Sequence, residues 1–192
     1  MSADRPPLRP LLVSLAVNAV LPLIAFLLIR PHVGSDALAL ALGGAIAAGR
    51  TLFVFARRRR VDVIGLVAVT AFALSVLASL AFSGSSLPLK LDMALLIGPL
   101  GLACLVSVAV GRPLHDVVMR IRRMPKANRR HSSIVTAIVG CTLVVHTLVH
   151  VVLALTLPTA VFLAASRLAG WGIIAVGAAA LAIYLRLARA HE

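Results

Sequence analysis

Two histidines four positions apart, His146 and His150, stand inside an apolar stretch of the sequence. Side chains at this spacing share one face of an α-helix, and proteins use such pairs to hold a metal ion or to present a haem ligand. A third ligand would have to be Asp92 or a distant histidine, and Arg167 on the next stretch favours an anionic partner over a cation. The alternatives are hydrogen bonds to another helix and a proton relay. We therefore expect no cofactor and no closed metal site, with His146 and His150 as the candidates if a metal binds.

A second polar group consists of Asn18, Arg50 and Asp62, which lie in three other apolar stretches. They fall toward the side of the membrane opposite to His146 and His150. Ionisable groups inside a membrane cost a few kcal/mol, so each is a candidate functional residue. These three side chains could line one polar pocket with Asp62 as the counter-ion of Arg50, and Arg167 is a further candidate for substrate binding. Alternatively, Arg50 snorkels to the interface and Asp62 stabilises a helix N-terminus, while Asn18 bonds a neighbouring helix.

The composition identifies the environment in which these groups must act. The chain has 192 residues, of which 61% are hydrophobic and 13% charged, and its mean hydropathy is +1.06. A soluble domain of this size could not bury so much apolar surface, and disorder requires low hydrophobicity. Six stretches are long and apolar enough to cross a bilayer: 11–29, 37–55, 61–82, 91–110, 134–157 and 160–185. The sequence therefore predicts an all-α polytopic membrane protein with six transmembrane helices in a single integral membrane domain, 1–192.

The net charge of +13 is distributed unevenly between the two sides predicted for the membrane. The two termini and the second and fourth connections hold 15 Arg and Lys residues, whereas the other three connections hold 2. Positive charge accumulates on the cytoplasmic side, so we expect both termini in the cytoplasm of a bacterial cell and anionic phospholipids at the basic face. Nucleic acid is not expected as a partner, because no basic stripe is interleaved with stacking aromatics.

The longest hydrophilic piece, 112–133, contains an amphipathic pattern. Apolar residues recur at helical spacing there, at Leu114, Val117, Val118, Ile121 and Met124. This pattern predicts a short helix lying in the cytoplasmic interface between the fourth and fifth transmembrane helices, with Arg129 and Arg130 as further phospholipid contacts. The alternative is a solvated basic loop.

Two short patterns resemble a known family. The first is Asn18 with Pro22, followed by the arginines 57–60 and Asp62; the second leads from Lys90-Leu91-Asp92 into Gly111-Arg112-Pro113-Leu114. Over about residues 10–115 this arrangement resembles the bacterial intracellular septation protein A family, and it is similar to a broader set of inner-membrane proteins of this length. The resemblance implies a small multi-helix inner-membrane protein linked to envelope or division processes, with no established catalytic chemistry.

Three classes of function fit these observations. The first is a noncatalytic envelope protein, a scaffold or interaction partner, which could form homo-oligomers. The second is a small transporter or a protein that binds a hydrophobic small molecule, with protonation of His146 or His150 as the coupling step. The third is an intramembrane isomerase or cyclase acting on a lipid or isoprenoid, with acid–base candidates Asp62, Asp92, His146 and His150. The motifs of soluble nucleotide-binding enzymes and hydrolases are absent from the sequence.

Overall fold

The structure, a computed structural model, describes residues 23–58, 63–121 and 128–190, and every regular element among them is an α-helix. The helices are α1 (Leu23–Val33), α2 (Asp36–Arg58), α3 (Val63–Ala81), α4 (Leu87–Ala109), α5 (Leu114–Ile121), α6 (Arg129–Thr156) and α7 (Thr159–Ala190). The predicted all-α class is thus confirmed, and the amphipathic pattern after residue 113 does form a helix.

Three of these helices are long and apolar enough to cross a membrane: Leu87–Ala109, Arg129–Thr156 and Thr159–Ala188. Large apolar side chains point outward along them, for example Leu95 on α4 and Leu168 on α7, which are 68% and 72% exposed. Such exposure is unfavourable in water and is stabilised by hydrocarbon. The other apolar helical stretches among the described residues are shorter, Leu23–Val33, Asp36–Ile46 and Val69–Ala81. That the chain has six transmembrane helices stays a prediction.

Helix α4 begins at Leu87, earlier than the predicted stretch 91–110. The Lys90 amide donates to the Ser86 carbonyl across 3.0 Å, which closes the first helical turn. The predicted stretch begins after Lys90 because this charge interrupts the apolar run, so the first turn of α4 lies outside it. As a result, Lys90 and Asp92 lie on a helix rather than at its edge.

Helix α6 also begins before its predicted start, at Arg129 instead of residue 134. The side-chain oxygen of Asn128 accepts a hydrogen bond from the Arg130 amide at 3.0 Å, so Asn128 acts as an N-cap. At its other end α6 stops at Thr156 and α7 begins at Thr159, so two residues connect them, as many as separate the predicted stretches 134–157 and 160–185.

The turn between α4 and α5 fixes the direction in which α5 leaves. Gly111 has a φ of 72°, a left-handed conformation that glycine adopts without strain. The Arg112 amide donates to the Ser107 carbonyl at 2.8 Å, as in a Schellman motif. The Ser107 hydroxyl then accepts a hydrogen bond from the Leu114 amide at 3.2 Å. One serine therefore links the end of α4 to the start of α5.

Two compact units can be distinguished by their internal contacts. The first consists of Met1–Asp92 with Ala154–Leu168, and the second of Met93–Leu153 with Ala169–Glu192. The first unit thus contains α1–α3, the start of α4 and the α6–α7 connection. The second contains α5 and most of α4, α6 and α7. The single integral membrane domain expected from composition stays a prediction.

In the second unit, glycines allow α4 and α6 to approach closely. A Cβ atom added at Gly101 on α4 would lie 3.0 Å from the Leu143 Cβ, and one at Gly140 on α6 would lie 2.9 Å from the Cys104 Cβ. Helices that associate in membranes use small residues in this way, because close approach maximises van der Waals contact.

Candidate functional site

Of the first predicted polar group, Asn18 and Asp62 lie outside the described residues. Arg50 belongs to α2, but its side chain lies outside the described part of the structure. The predicted pocket formed by these three residues therefore stays a prediction.

The histidine pair of the second predicted group lies on α6 with its rings stacked. The centroids of His146 and His150 are 6.0 Å apart and the ring planes differ by 16°. The nitrogen lone pairs lie in the ring planes, and the planes of two stacked rings are offset from one another, so in this arrangement the nitrogens do not point at one common position. Within the described residues, no group of three or more His, Cys, Asp or Glu side chains is placed to hold a metal ion.

The packing of His146 leaves one of its nitrogens unpaired. Its Nδ1 atom is buried and has no hydrogen-bond partner in the described part of the chain. Its Nε2 lies against α7 at Gly170, where an added Cβ would come within 2.9 Å. The remaining members of the predicted group, Asp92 and Arg167, belong to the first unit, where Arg167 is exposed on α7. The convergence of all four residues stays a prediction.

The first unit contains a polar cluster that sequence reasoning did not select. Asp36, in the first turn of α2, forms an ion pair with Nε of Arg30, near the end of α1. The Thr159 hydroxyl at the start of α7 donates a hydrogen bond to the same carboxylate. This hydrogen bond from Thr159 and the neighbouring Arg30 guanidinium hold the pKa of Asp36 below its ordinary value, although partial burial opposes them.

Lys90 extends this group, which we call the Asp36–Lys90 cluster (Arg30, Asp36, Lys90, Leu157, Thr159). Its side chain is only 8% exposed, and its Nζ donates to the Leu157 carbonyl at 3.0 Å. Nζ also lies 5.5 Å from the centroid of the Phe162 ring. Because Leu157 directly follows α6, the ammonium group lies where the helix dipole favours a cation. One feature of the sequence could have indicated this cluster. Arg30, Asp36 and Lys90 are isolated charges next to apolar stretches.

A second cluster, in the second unit, joins α5 to α6. The His115 amide donates to Oγ1 of Thr136 at 3.2 Å, and the His115 Nδ1 lies 3.1 Å from Oγ of Ser132. Ser132 is fully buried and Thr136 is 3% exposed. An imidazole beside a hydroxyl resembles a nucleophile–base pair. Because the Ser132 hydroxyl has no exposed surface for a substrate to reach, the contact serves to hold the two helices together.

The same cluster continues from α6 to α7. The Tyr184 hydroxyl lies 3.1 Å from Nδ1 of His131, and the ring of His131 packs edge-on against that of His115, 6.1 Å between centroids. We call His115, His131, Ser132, Thr136 and Tyr184 the histidine cluster. Tyr184 is the single tyrosine of the chain and lies near the end of the last apolar stretch. A buried phenol usually finds a hydrogen-bond partner, so this tyrosine was the available sequence signal.

One side of α5 faces away from the histidine cluster. Val117, Val118 and Ile121 are 45%, 47% and 76% exposed, whereas Met124 of the predicted apolar face lies outside the described residues. Exposed arginines lie on α5, on the turn before it and at the start of α6: Arg120, Arg112, Arg129 and Arg130. We call Val117, Val118, Ile121 and these four arginines the α5 surface.

Comparisons with protein-family models, with curated protein sequences and with solved structures gave no match. The resemblance of residues 10–115 to intracellular septation protein A thus rests on the short motifs alone and stays a prediction.

Proposed function

We propose that this chain is a noncatalytic envelope protein of the bacterial cytoplasmic membrane, a scaffold or interaction partner with six transmembrane helices and both termini in the cytoplasm. The three long apolar helices support membrane insertion. The uneven distribution of Arg and Lys supports the orientation, and the resemblance to septation protein A supports a role in the envelope. An envelope protein or a second copy of the chain would be its partner.

The observation that carries this proposal is that polar side chains between helices are bonded to one another. Asp36 is bound by Arg30 and Thr159, and Lys90 binds a backbone carbonyl. The histidine cluster likewise joins three helices through hydroxyl, imidazole and amide groups. Polar groups that bond across helices stabilise a bundle in a membrane, which is the role that a scaffold requires of them.

The topology is tested by reporter fusions placed at successive connections. Alkaline phosphatase, which is active only outside the cytoplasm, should be active when fused after residues 34, 84 and 157. It should be inactive when fused after residues 60, 127 and 192. A green fluorescent protein fused at the same positions should give the reverse pattern. If the alkaline phosphatase fusions at 34 and 60, or those at 60 and 84, were both active or both inactive, the six-helix arrangement would be contradicted.

The noncatalytic role is tested by analysing what accompanies the protein from the membrane. Mass spectrometry and an optical spectrum of the detergent-purified protein should show bulk phospholipid without an equimolar lipophile, metal or haem. The variant His146→Phe should carry the same lipids. Photo-crosslinkers incorporated at exposed positions in living cells should give discrete adducts with envelope proteins or with the chain itself. A small molecule that is bound in equimolar amount to the wild type and is lost in His146→Phe would overturn the proposed scaffold role.

Such a result would favour a second candidate, a transporter or lipophile-binding protein. The specific observation for it is the buried Nδ1 of His146, which has no hydrogen-bond partner among residues 23–58, 63–121 and 128–190, because a buried polar atom without a partner costs about 1–3 kcal/mol. A hydrogen-bonding lipophile would remove that cost. In proteoliposomes this candidate requires flux that depends on pH and that falls in His146→Phe and His150→Phe.

A further inference from the structure

Helix α5 has two sides with opposite roles. His115 faces α6 and bonds to Ser132 and Thr136. Val117, Val118 and Ile121 lie together on another side of the helix and are exposed. In a helix of eight residues, three exposed apolar side chains on one side form a stripe that water does not favour. An apolar environment would therefore stabilise this side of the helix.

The orientation of this stripe is fixed by the rest of the second unit. Ser107 caps the first turn of α5, and the Thr136 hydroxyl accepts the next amide. Nη2 of Arg129 donates to the Gly111 carbonyl at 2.7 Å, which ties the α4–α5 turn to the start of α6. The apolar stripe is therefore held at a set angle before any partner binds, and little conformational entropy is lost on binding.

Exposed arginines lie on α5 and on the segments next to it in the chain. On an ideal helix Arg120 lies about 100° from the centre of the stripe, close enough for its guanidinium to reach along the edge. Arg129 and Arg130 are exposed at the start of α6, one turn from the Ser132 that contacts α5. Guanidinium groups bind phosphate oxygens in a forked geometry. The acidic residue of α5, Asp116, lies about 150° from the centre of the stripe on an ideal helix, on the other side of α5.

We propose that the α5 surface binds anionic phospholipid of the membrane in which the chain is embedded. Val117, Val118 and Ile121 insert among the upper acyl carbons, and the arginines bind headgroup phosphates. An apolar stripe bordered by arginines fits an anionic bilayer, which offers hydrocarbon and negative charge at adjoining depths. This inference rests on the proposed membrane location, and it assigns the lipid contact expected for the basic face to particular side chains that the structure holds in place on α5.

The test measures which lipids surround α5. The variant Val118→Trp is made with Trp171→Phe, so that its fluorescence comes from α5 alone, and the protein is reconstituted in vesicles of phosphatidylglycerol and phosphatidylcholine. Brominated versions of either lipid quench a tryptophan that they contact. Brominated phosphatidylglycerol should quench this tryptophan more strongly than brominated phosphatidylcholine. The single variants Arg120→Gln and Arg130→Gln should each lower that preference about fivefold.

Two controls separate this proposal from the membrane location on which it rests. Leu102→Trp with Trp171→Phe reports on an exposed position of α4, and both brominated lipids should quench it equally. Arg57→Gln removes an exposed arginine from the first unit and should leave the preference at Val118→Trp unchanged. An unquenched tryptophan at position 102 would contradict the membrane location. Quenching at 102 but not at 118, or equal quenching at 118 by both lipids, would overturn the phospholipid surface.

Discussion

The Tyr184 hydroxyl lies 3.1 Å from Nδ1 of His131, although 53 positions separate the two residues in the chain. This contact joins the first turn of α6 to the last part of α7 and thereby fixes the register of two antiparallel helices within the second unit. Gly177 supports the same pairing further along, because an added Cβ there would fall on the Thr142 side chain. A polar contact at the helix ends and a small residue further along therefore specify one arrangement of the two helices.

The variant Tyr184→Phe should lower thermal stability in detergent. It removes the hydroxyl but keeps the ring, so the loss is that of one part-buried hydrogen bond, about 0.5–1.5 kcal/mol. The unfolding midpoint should fall by a few degrees, at about 2–4 °C per kcal/mol for a chain of this length. His131→Leu should destabilise similarly, and the double variant should lose less than the sum of both. Additive losses would show that the two side chains do not interact.

The variant His115→Ala should loosen α5 while α6 and α7 remain folded. It removes the imidazole that lies beside Ser132, and α5 is too short to be stable alone. Hydrogen exchange followed by mass spectrometry should show faster exchange for peptides covering 114–121, with peptides of α7 unchanged. His32→Ala is the matched control, because His32 is exposed on α1 and its ring contacts only the carbonyl of its own helix at Leu28 among the contacts described. Unchanged exchange at α5 would contradict the role of His115.

The helices themselves could be predicted, because apolar length and helical periodicity are local properties of the sequence. The α5 helix followed from the spacing of Val117, Val118 and Ile121. The contacts that position it did not follow, since the partner of His115 at Thr136 is 21 residues away. No local pattern specifies which hydroxyl on α6 will meet which imidazole.

The polar sites show the same division between local and long-range information. The predicted start of the fourth stretch at residue 91 places Lys90 in a connecting segment, whereas in the structure Lys90 is buried and binds the carbonyl of Leu157. The i, i+4 spacing of His146 and His150 correctly implied one face, and their rings do stack. Spacing could not reveal the stacking of the two rings or the packing of His146 against Gly170, which depend on long-range contacts.

The Asp36 carboxylate should make stability depend on pH in the acidic range. Its pKa is held below the ordinary value by the Thr159 hydrogen bond and by Arg30. A group whose pKa is lower in the folded state stabilises the protein above its unfolded-state pKa, about 3.9. That contribution is lost as the pH falls through the folded-state pKa. Since Asp36 and Arg30 are 37% and 40% exposed, solvent screening keeps the effect below about 1 kcal/mol.

Thermal unfolding of the wild type and Asp36→Asn between pH 7 and pH 3 measures this contribution. The wild type should be the more stable at pH 7, and the difference should shrink as the pH falls below about 4. Thr159→Val removes the largest cause of the pKa shift and should give a weaker dependence than the wild type. A difference between wild type and Asp36→Asn that stays constant across this range would rule out the ionised carboxylate as the source.

The contact of Gly140 with α4 predicts a penalty for even one added carbon. In Gly140→Ala the new Cβ would lie 2.9 Å from Cβ of Cys104, so the helices must separate, at a cost of about 1–3 kcal/mol. Gly172→Ala is the matched control, because nothing lies within 4 Å of a Cβ there. Alanine exceeds glycine in helix propensity by about 1 kcal/mol, so Gly172→Ala should be neutral or stabilising. Equal midpoints for the two variants would contradict the close packing of α4 and α6.

Lys90 should stabilise the α6–α7 connection through its contact with the end of α6. Lys90→Met keeps the length of the side chain but removes the donor to the Leu157 carbonyl and the cation beside Phe162. The Leu157 carbonyl then lacks this partner, and the loss of a charged hydrogen bond should cost about 1–3 kcal/mol, measured as a lower unfolding midpoint in detergent. Phe162→Leu, which removes only the aromatic face, should cost less, because a cation beside an aromatic ring contributes about 0.5–2 kcal/mol. If Lys90→Met matched the wild type, the ammonium group would be a tolerated charge rather than a stabilising contact between α4 and the α6–α7 connection.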